Sequence, residues 1–170
     1  MTNITVIKGD ITTQSVNAIV NAANTSLLGG GGVNGAIHRA AGPQLLDECR
    51  TLKGCKTGEA KITRGYNLPA KHVIHTAGPV WHGGSNNEQQ LLYNAYYNSL
   101  TVAMNNGMRT IAFPGISTGI YGFPKQLAAA TALRAVSDFN RKNPDAITDI
   151  IFVCFDDENL NIYKSLLDLP

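Results

Sequence analysis

The chain has 170 residues, of which 44% are hydrophobic and 15% charged, with a net charge of +2. That fits one domain spanning residues 1–170, an ordinary soluble globule large enough to bury a sizeable core. The charge is too small to argue for a nucleic-acid partner, and no lysine or arginine run appears. Met1 to Val6 is too short and polar for a signal peptide, and no apolar run is long enough to span a bilayer. Cys49, Cys55 and Cys154 form an odd, widely spaced set without a C-x-x-C pair. They read as reduced thiols, Cys49 and Cys55 inert, in a cytoplasmic protein that holds no metal and needs no cofactor.

Ile4 to Lys8 alternates with period two and predicts a strand ending at Gly9-Asp10. Asp10 to Thr13 reads as a polar turn and Ala18 to Val20 as a buried strand. Asn21 to Asn24 follows, and the four glycines Gly29 to Gly32 open a helix over Val33 to Ala41. A glycine run costs backbone entropy, and the cost is offset where a backbone must come close to a ligand. N–H groups of such a loop at a helix N-terminus form an anion site, here flanked by uncharged amides. A flexible surface loop is the alternative.

Gly42-Pro43 breaks that helix, and Pro43 to Leu52 predicts a second, amphipathic through Leu45, Leu46 and Cys49. Ala60 to Arg64 and His72 to Thr76 read as strands. His72 and His75 fall on opposite strand faces, which is wrong for sharing a metal. Gly78 to Asn87 is a polar loop in which Gly83, Gly84 and Ser85 read as mobile. Glu88 to Asn106 predicts a long helix, and Thr110 to Phe113 a central strand. A second glycine loop runs from Gly115 to Gly122. Lys125 to Asn140 predicts a helix with Leu127, Ala130, Thr131, Leu133 and Val136 inward. Asp149 to Phe155 closes the sheet and Asp157 to Leu167 is the last helix. Alternating strands and helices predict an α/β sheet covered on both faces, with ligands beyond the carboxyl ends of the strands.

Four strand ends carry unusual residues: Gly9-Asp10, Asn21 to Asn24, Gly115 to Gly122 and Phe155-Asp156. Gly9 to Thr12, Ala18 to Asn24, Gly29 to His38 and Gly115 to Gly122 together resemble the macrodomains, and more narrowly the MacroD-like branch, over essentially the whole chain. The resemblance implies a three-layer α/β/α fold with a central mixed sheet. It implies binding of ADP-ribose and hydrolysis of its esters, O-acetyl-ADP-ribose or mono-ADP-ribosylated acidic side chains of proteins. By the same resemblance Asp10 accepts the adenine amino group beside the Ile11 backbone, and Phe155 lies against the adenine face. Ser117, Thr118, Gly119 and Ile120 wrap the pyrophosphate with backbone N–H groups. Gly30, Gly31, Gly32 and Val33 close from the other side. Asn24 bonds the distal ribose and Tyr121 packs against that sugar.

Each residue also has a plainer reading. Asp10 serves as an Asx-turn residue, Phe155 as core, Asn24 as a turn cap, Tyr121 as a surface aromatic, and His38 as a structural histidine.

The chain departs from the branch at Asn34, where its enzymes carry the aspartate assigned to activate water. An amide positions water but cannot take its proton. Asn34 reads as a substitution introduced to trap ligand, as a natural change in a non-catalytic ADP-ribose reader, or as the N-cap of the following helix. The Asn34-Gly35 pair is also deamidation-prone in sequence. An RNA-binding regulatory domain is a further alternative, resting on the mild basic balance alone.

Overall fold

β-branched and small apolar runs become strands here, and periodic runs become helices, in the order the sequence predicts. The computed structural model describes residues 1–169. Its strands are β1 (Asn3–Lys8), β2 (Ala18–Ala23), β3 (Ala60–Arg64), β4 (His72–Ala77), β5 (Thr110–Phe113) and β6 (Asp149–Cys154). Its helices are α1 (Gly32–Ala41), α2 (Pro43–Thr51), α3 (Glu88–Asn105), α4 (Lys125–Lys142) and α5 (Asp157–Leu166). Ile11–Thr13 forms a single 3-10 turn.

One sheet runs in the order β1-β6-β5-β2-β4-β3. All neighbours are parallel except β3, which lies antiparallel to β4 at one edge. The sheet is therefore mixed, and it sits between two helical layers. Helices α1 and α2 bury Ile37, Ala41, Leu45 and Cys49 against Ile19, Val73, Ala112 and Val153. Helices α3, α4 and α5 cover the opposite face, over Val20, Ile74, Ile111, Phe113 and Phe152. In that second core Tyr96, Phe113, Phe152 and Tyr163 stack in series, with centroids 5.1, 5.8 and 4.7 Å apart. Among the described residues, no helix is long and apolar enough to cross a membrane.

Three details differ from the sequence reading. Strand β2 does not stop at Val20 but runs through Asn21 to Ala23, with Asn21 in register with His75. Asparagine is a poor strand former, so pattern alone ends the strand early; buried side-chain bonds hold it in place. In α4, Ala130 faces solvent, while Ala128, Ala129, Ala132 and Ala135 are buried. Helix α4 packs between α3 and α5, so its covered face is wider than one stripe, and small residues let its neighbours approach.

The third detail is Glu88, expected only to begin a helix. Its carboxylate is buried and accepts backbone N–H bonds from His82 (2.7 Å), Gly84 (3.0 Å) and Asn86 (2.6 Å). The loop that reads as mobile is thus pinned to the first residue of α3. Pinning carries forward, because Trp81 donates its N–H to the Tyr121 carbonyl at 2.8 Å and packs on Phe123 with centroids 4.8 Å apart. These bonds, the one from His82 foremost, lower the Glu88 pKa from an ordinary 4.5 to about 2. A carboxyl held below its unfolded value contributes stability above that value and loses it as pH falls toward the folded one. Glu88→Gln should therefore flatten the decline of the urea midpoint between pH 4.5 and 2. An unchanged slope would show that the carboxylate does not hold the loop.

Candidate functional site

Parallel strands bring their carboxyl ends to one edge, and the sheet order fixes what lies beside what. Along that edge come Asp10 after β1, Phe155 after β6, Pro114-Gly115 after β5 and Asn24 after β2. A cleft of about 690 Å³ opens there. It gathers Asp10, Ile11, Gly32, Val33, Thr118, Gly119 and Phe155 from segments far apart in the chain. Phe113, Phe152 and Tyr163 of the aromatic series also line it, so the core continues into the wall of the cleft.

At one end, the Asp10 carboxylate accepts bonds from the Thr12 N–H (2.9 Å) and the Thr12 hydroxyl (2.7 Å). These bonds hold its pKa below the usual carboxylate range. Both go to a single oxygen, Oδ1, so the Asx-turn role and a role toward ligand are compatible. Phe155 is not core. Strand β6 ends one residue earlier, at Cys154, and the phenyl ring is 86% exposed beside the cleft. An exposed aromatic at a cleft rim is a stacking surface.

The middle of the cleft is built of backbone. Ser117 adopts a left-handed conformation (φ 66°), and the loop closes through Phe123 N–H to Ser117 O (2.9 Å) and Gly122 N–H to Gly119 O (3.0 Å). Among the described residues, the N–H groups of Thr118, Gly119, Ile120 and Tyr121 donate to no protein acceptor. Opposite them, α1 begins at Gly32 with Gly31 as a cap that offers no side chain. Its first-turn N–H groups are free in the same way, and the helix dipole adds positive character. Of these, Thr118 and Gly119 on one side and Gly32 and Val33 on the other line the cleft, an arrangement suited to a phosphate chain. Ile120 is 99% exposed and Tyr121 half-buried.

Asn24 and Asn34 do not line this cleft; they converge on Gly30, in the loop that leads into α1. A Cβ placed at Gly30 would lie 3.0 Å from Asn34 Nδ2 and 3.5 Å from Asn24 Nδ2. Asn24 shapes its own loop, accepting bonds from the Ser26 hydroxyl (2.7 Å) and Leu27 N–H (3.1 Å) and donating to Gly29 O (2.9 Å). The turn-cap reading of Asn24 is thus correct as geometry. The N-cap reading of Asn34 is not: Gly31 is the cap, and Asn34 sits inside the first turn, 6% exposed. Its Oδ1 accepts from Asn21 Nδ2 at 2.9 Å, and Asn21 Nδ2 also reaches His75 Nδ1 at 3.1 Å. His75 Nε2 in turn meets the Thr63 hydroxyl at 2.9 Å. Burial, with the nearby His38, pushes the His75 pKa down to about 3, so the ring is neutral; with the Asn21 Nδ2 donor on Nδ1, the proton is assigned to Nε2. Because Oδ1 of Asn34 is taken, the side chain presents its NH2 group to Gly30 and Asn24.

Sequence reasoning missed several participants. Asn21 reads as part of the strand end but lies fully buried in β2. Arg39 and Lys125 line the cleft without any local signal. Asp156 stands out in the sequence as part of a strand end, but its capping of α5, where it accepts from the Asn159 N–H at 2.9 Å, is missed there. Cys49 and Cys55 are buried, and burial raises both thiol pKa values, Cys49 to about 11, consistent with inert thiols.

The family model described as Macro domain matches residues 20–132. An O-acetyl-ADP-ribose deacetylase of Citrobacter rodentium is 55% identical over 170 residues, covering 96% of this chain and 94% of that protein. The ADP-ribose glycohydrolase MACROD2 of Xenopus laevis is 59% identical over 162 residues, spanning 95% of this chain and 39% of that longer protein. A solved structure of the Trypanosoma brucei macrodomain in complex with ADP-ribose matches with a TM-score of 0.92 at 43% identity. It covers 96% of this chain and 68% of its own.

The local geometry bears on the Asn34-Gly35 pair. Deamidation needs the Gly35 nitrogen to attack the Asn34 side-chain carbonyl. That nitrogen donates to Gly31 O at 3.1 Å within α1, and a side chain at Gly35 would press on Gly30 O at 2.5 Å, so the turn has little room to rearrange. Incubated folded protein should therefore gain the deamidation mass at Asn34 far more slowly than urea-unfolded protein, as read by peptide mapping. Equal rates would contradict a locked turn.

Proposed function

The chain belongs to the macrodomain family, and we propose that it binds ADP-ribose in the carboxyl-edge cleft as a hydrolase of ADP-ribosyl esters slowed by Asn34. The substrates are O-acetyl-ADP-ribose and mono-ADP-ribosylated acidic side chains. One observation carries the reading: a single cleft collects Asp10, Phe155 and the unpaired backbone N–H groups of Thr118, Gly119, Gly32 and Val33, as base and pyrophosphate would need. The names of the deacetylase and glycohydrolase relatives support the hydrolase class.

In this scheme the Asp10 carboxylate and the Phe155 ring hold the adenine. The Thr118 to Tyr121 and Gly31 to Val33 backbones hold the pyrophosphate and so fix the ester at the far end. Asn24 and Asn34 meet there and orient water toward the ester carbonyl. Asn34 offers N–H donors and no basic site, so it cannot accept the water's proton, and loss of a general base costs about 10²–10⁴ in rate. Binding is spared, because an amide brings no negative charge near the pyrophosphate. A non-catalytic ADP-ribose reader is the second reading, and the inward-turned Asn34 Oδ1 favours it.

Calorimetry should show ADP-ribose binding, weakened about 5- to 150-fold in Phe155→Ala, the loss of about 1–3 kcal/mol expected of a base-stacking aromatic. Absence of binding by the unaltered chain would overturn the proposal. In the same sample O-acetyl-ADP-ribose should be hydrolysed slowly but above the buffer rate; binding without any hydrolysis would leave the reader.

A further inference from the structure

The carboxyl edge continues past Asn24, toward β4 and β3, where a second hollow of about 540 Å³ opens beside Thr25. The segment after α2 forms its wall and is tied to the strand ends. Cys55 N–H donates to Thr25 O at 2.8 Å, Gly58 N–H donates to Ala77 O at 2.8 Å, and Thr57 bridges to Ala77. Gly54 (φ 80°) lets this backbone pass Thr25, since a Cβ there would meet the Thr25 carbonyl at 2.8 Å. The lining carries three lysines, Lys53, Lys56 and Lys61, against one acid, Glu59. Lys61 is anchored by donating to Leu52 O at 2.7 Å. Lys53 and Lys56 are exposed and, among the described residues, pair with no carboxylate, whereas Lys8 and Lys125 at the other end of the edge are each neutralised by one.

We infer that this hollow receives an acidic peptide segment flanking a mono-ADP-ribosylated glutamate or aspartate, and so steers conjugated proteins to the cleft. The inference rests on the reading of the cleft given under Proposed function. A nucleotide laid from Asp10 to Asn24 ends at β2, so the chain bearing the ester leaves on the β4–β3 side, over the lysines. Carboxylates neighbouring the modified residue supply the complementary charge, and exposed charge pairs of this kind are individually weak and screened by salt.

The test uses Lys53→Glu/Lys56→Glu and three probes. These are free ADP-ribose, a peptide mono-ADP-ribosylated on glutamate with acidic flanks, and the same conjugate with neutral flanks. The unaltered chain should bind the acidic-flank conjugate about 3- to 10-fold more tightly than the neutral one at low salt. The double variant should lose that preference while its affinity for free ADP-ribose stays unchanged. Equal affinity of the unaltered chain for the two conjugates, with free ADP-ribose still bound, overturns the hollow's role and leaves the cleft's function standing. No binding of free ADP-ribose overturns both. An unconjugated acidic peptide or single-stranded RNA bound as tightly as the conjugate also overturns it, since the hollow would then be a general polyanion surface.

Discussion

A buried line of hydrogen bonds, Asn34–Asn21–His75–Thr63, joins helix α1 to strands β2, β4 and β3 and fixes the side chain at position 34. Each link is buried, so breaking one would leave a polar group without water, at about 1–3 kcal/mol. Asn21 Nδ2 donates both to Asn34 Oδ1 and to His75 Nδ1, and the neutral His75 ring donates from Nε2 to the Thr63 hydroxyl, so the bonds run outward from Asn21 in both directions. The bond from Asn21 sets the chemistry at position 34: its oxygen is turned inward and its NH2 group toward Gly30.

The rest of the site follows from topology. Parallel strands place their carboxyl ends together, and backbone N–H groups supply most of the recognition of an anion. A chain with a net charge of only +2 can hold a pyrophosphate this way, because the donors are fixed dipoles and not mobile side chains. Their positions are secured from beneath by the stacked Phe113, Phe152 and Tyr163. They are secured from the side by Glu88, which holds the Trp81 loop against the Tyr121 loop.

The cleft residues were legible in the sequence where chemistry-bearing side chains directly follow a strand, as Asp10 and Phe155 do. Phe155 shows what sequence adds and where it stops. It extends an apolar run, and only the end of β6 at Cys154 decides that it faces solvent. The elements themselves were legible because their periods are clear, but the inward face of α4 was not, since its width depends on having α3 and α5 as neighbours. Asn21 and Glu88 were illegible for a common reason. Their partners, His75 and the 82–86 backbone, are met only after the chain has folded. The lysine hollow was equally hidden, because Lys53, Lys56 and Lys61 have no helical or strand period and read as solvated charge.

The central claim is that position 34 offers a donor where hydrolysis needs a base. Replacing Asn34 by Asp keeps the shape and still gives the Asn21 Nδ2 donor an oxygen to bond, while putting a second carboxylate oxygen where the NH2 group now points. Single-turnover hydrolysis of O-acetyl-ADP-ribose by the chain and by Asn34→Asp, with ADP-ribose affinity measured for both, tests this directly. A rise of about 10²–10⁴ in rate at similar affinity is the predicted result. Equal and substantial rates would contradict the account, because the chemistry would then lie elsewhere in the cleft.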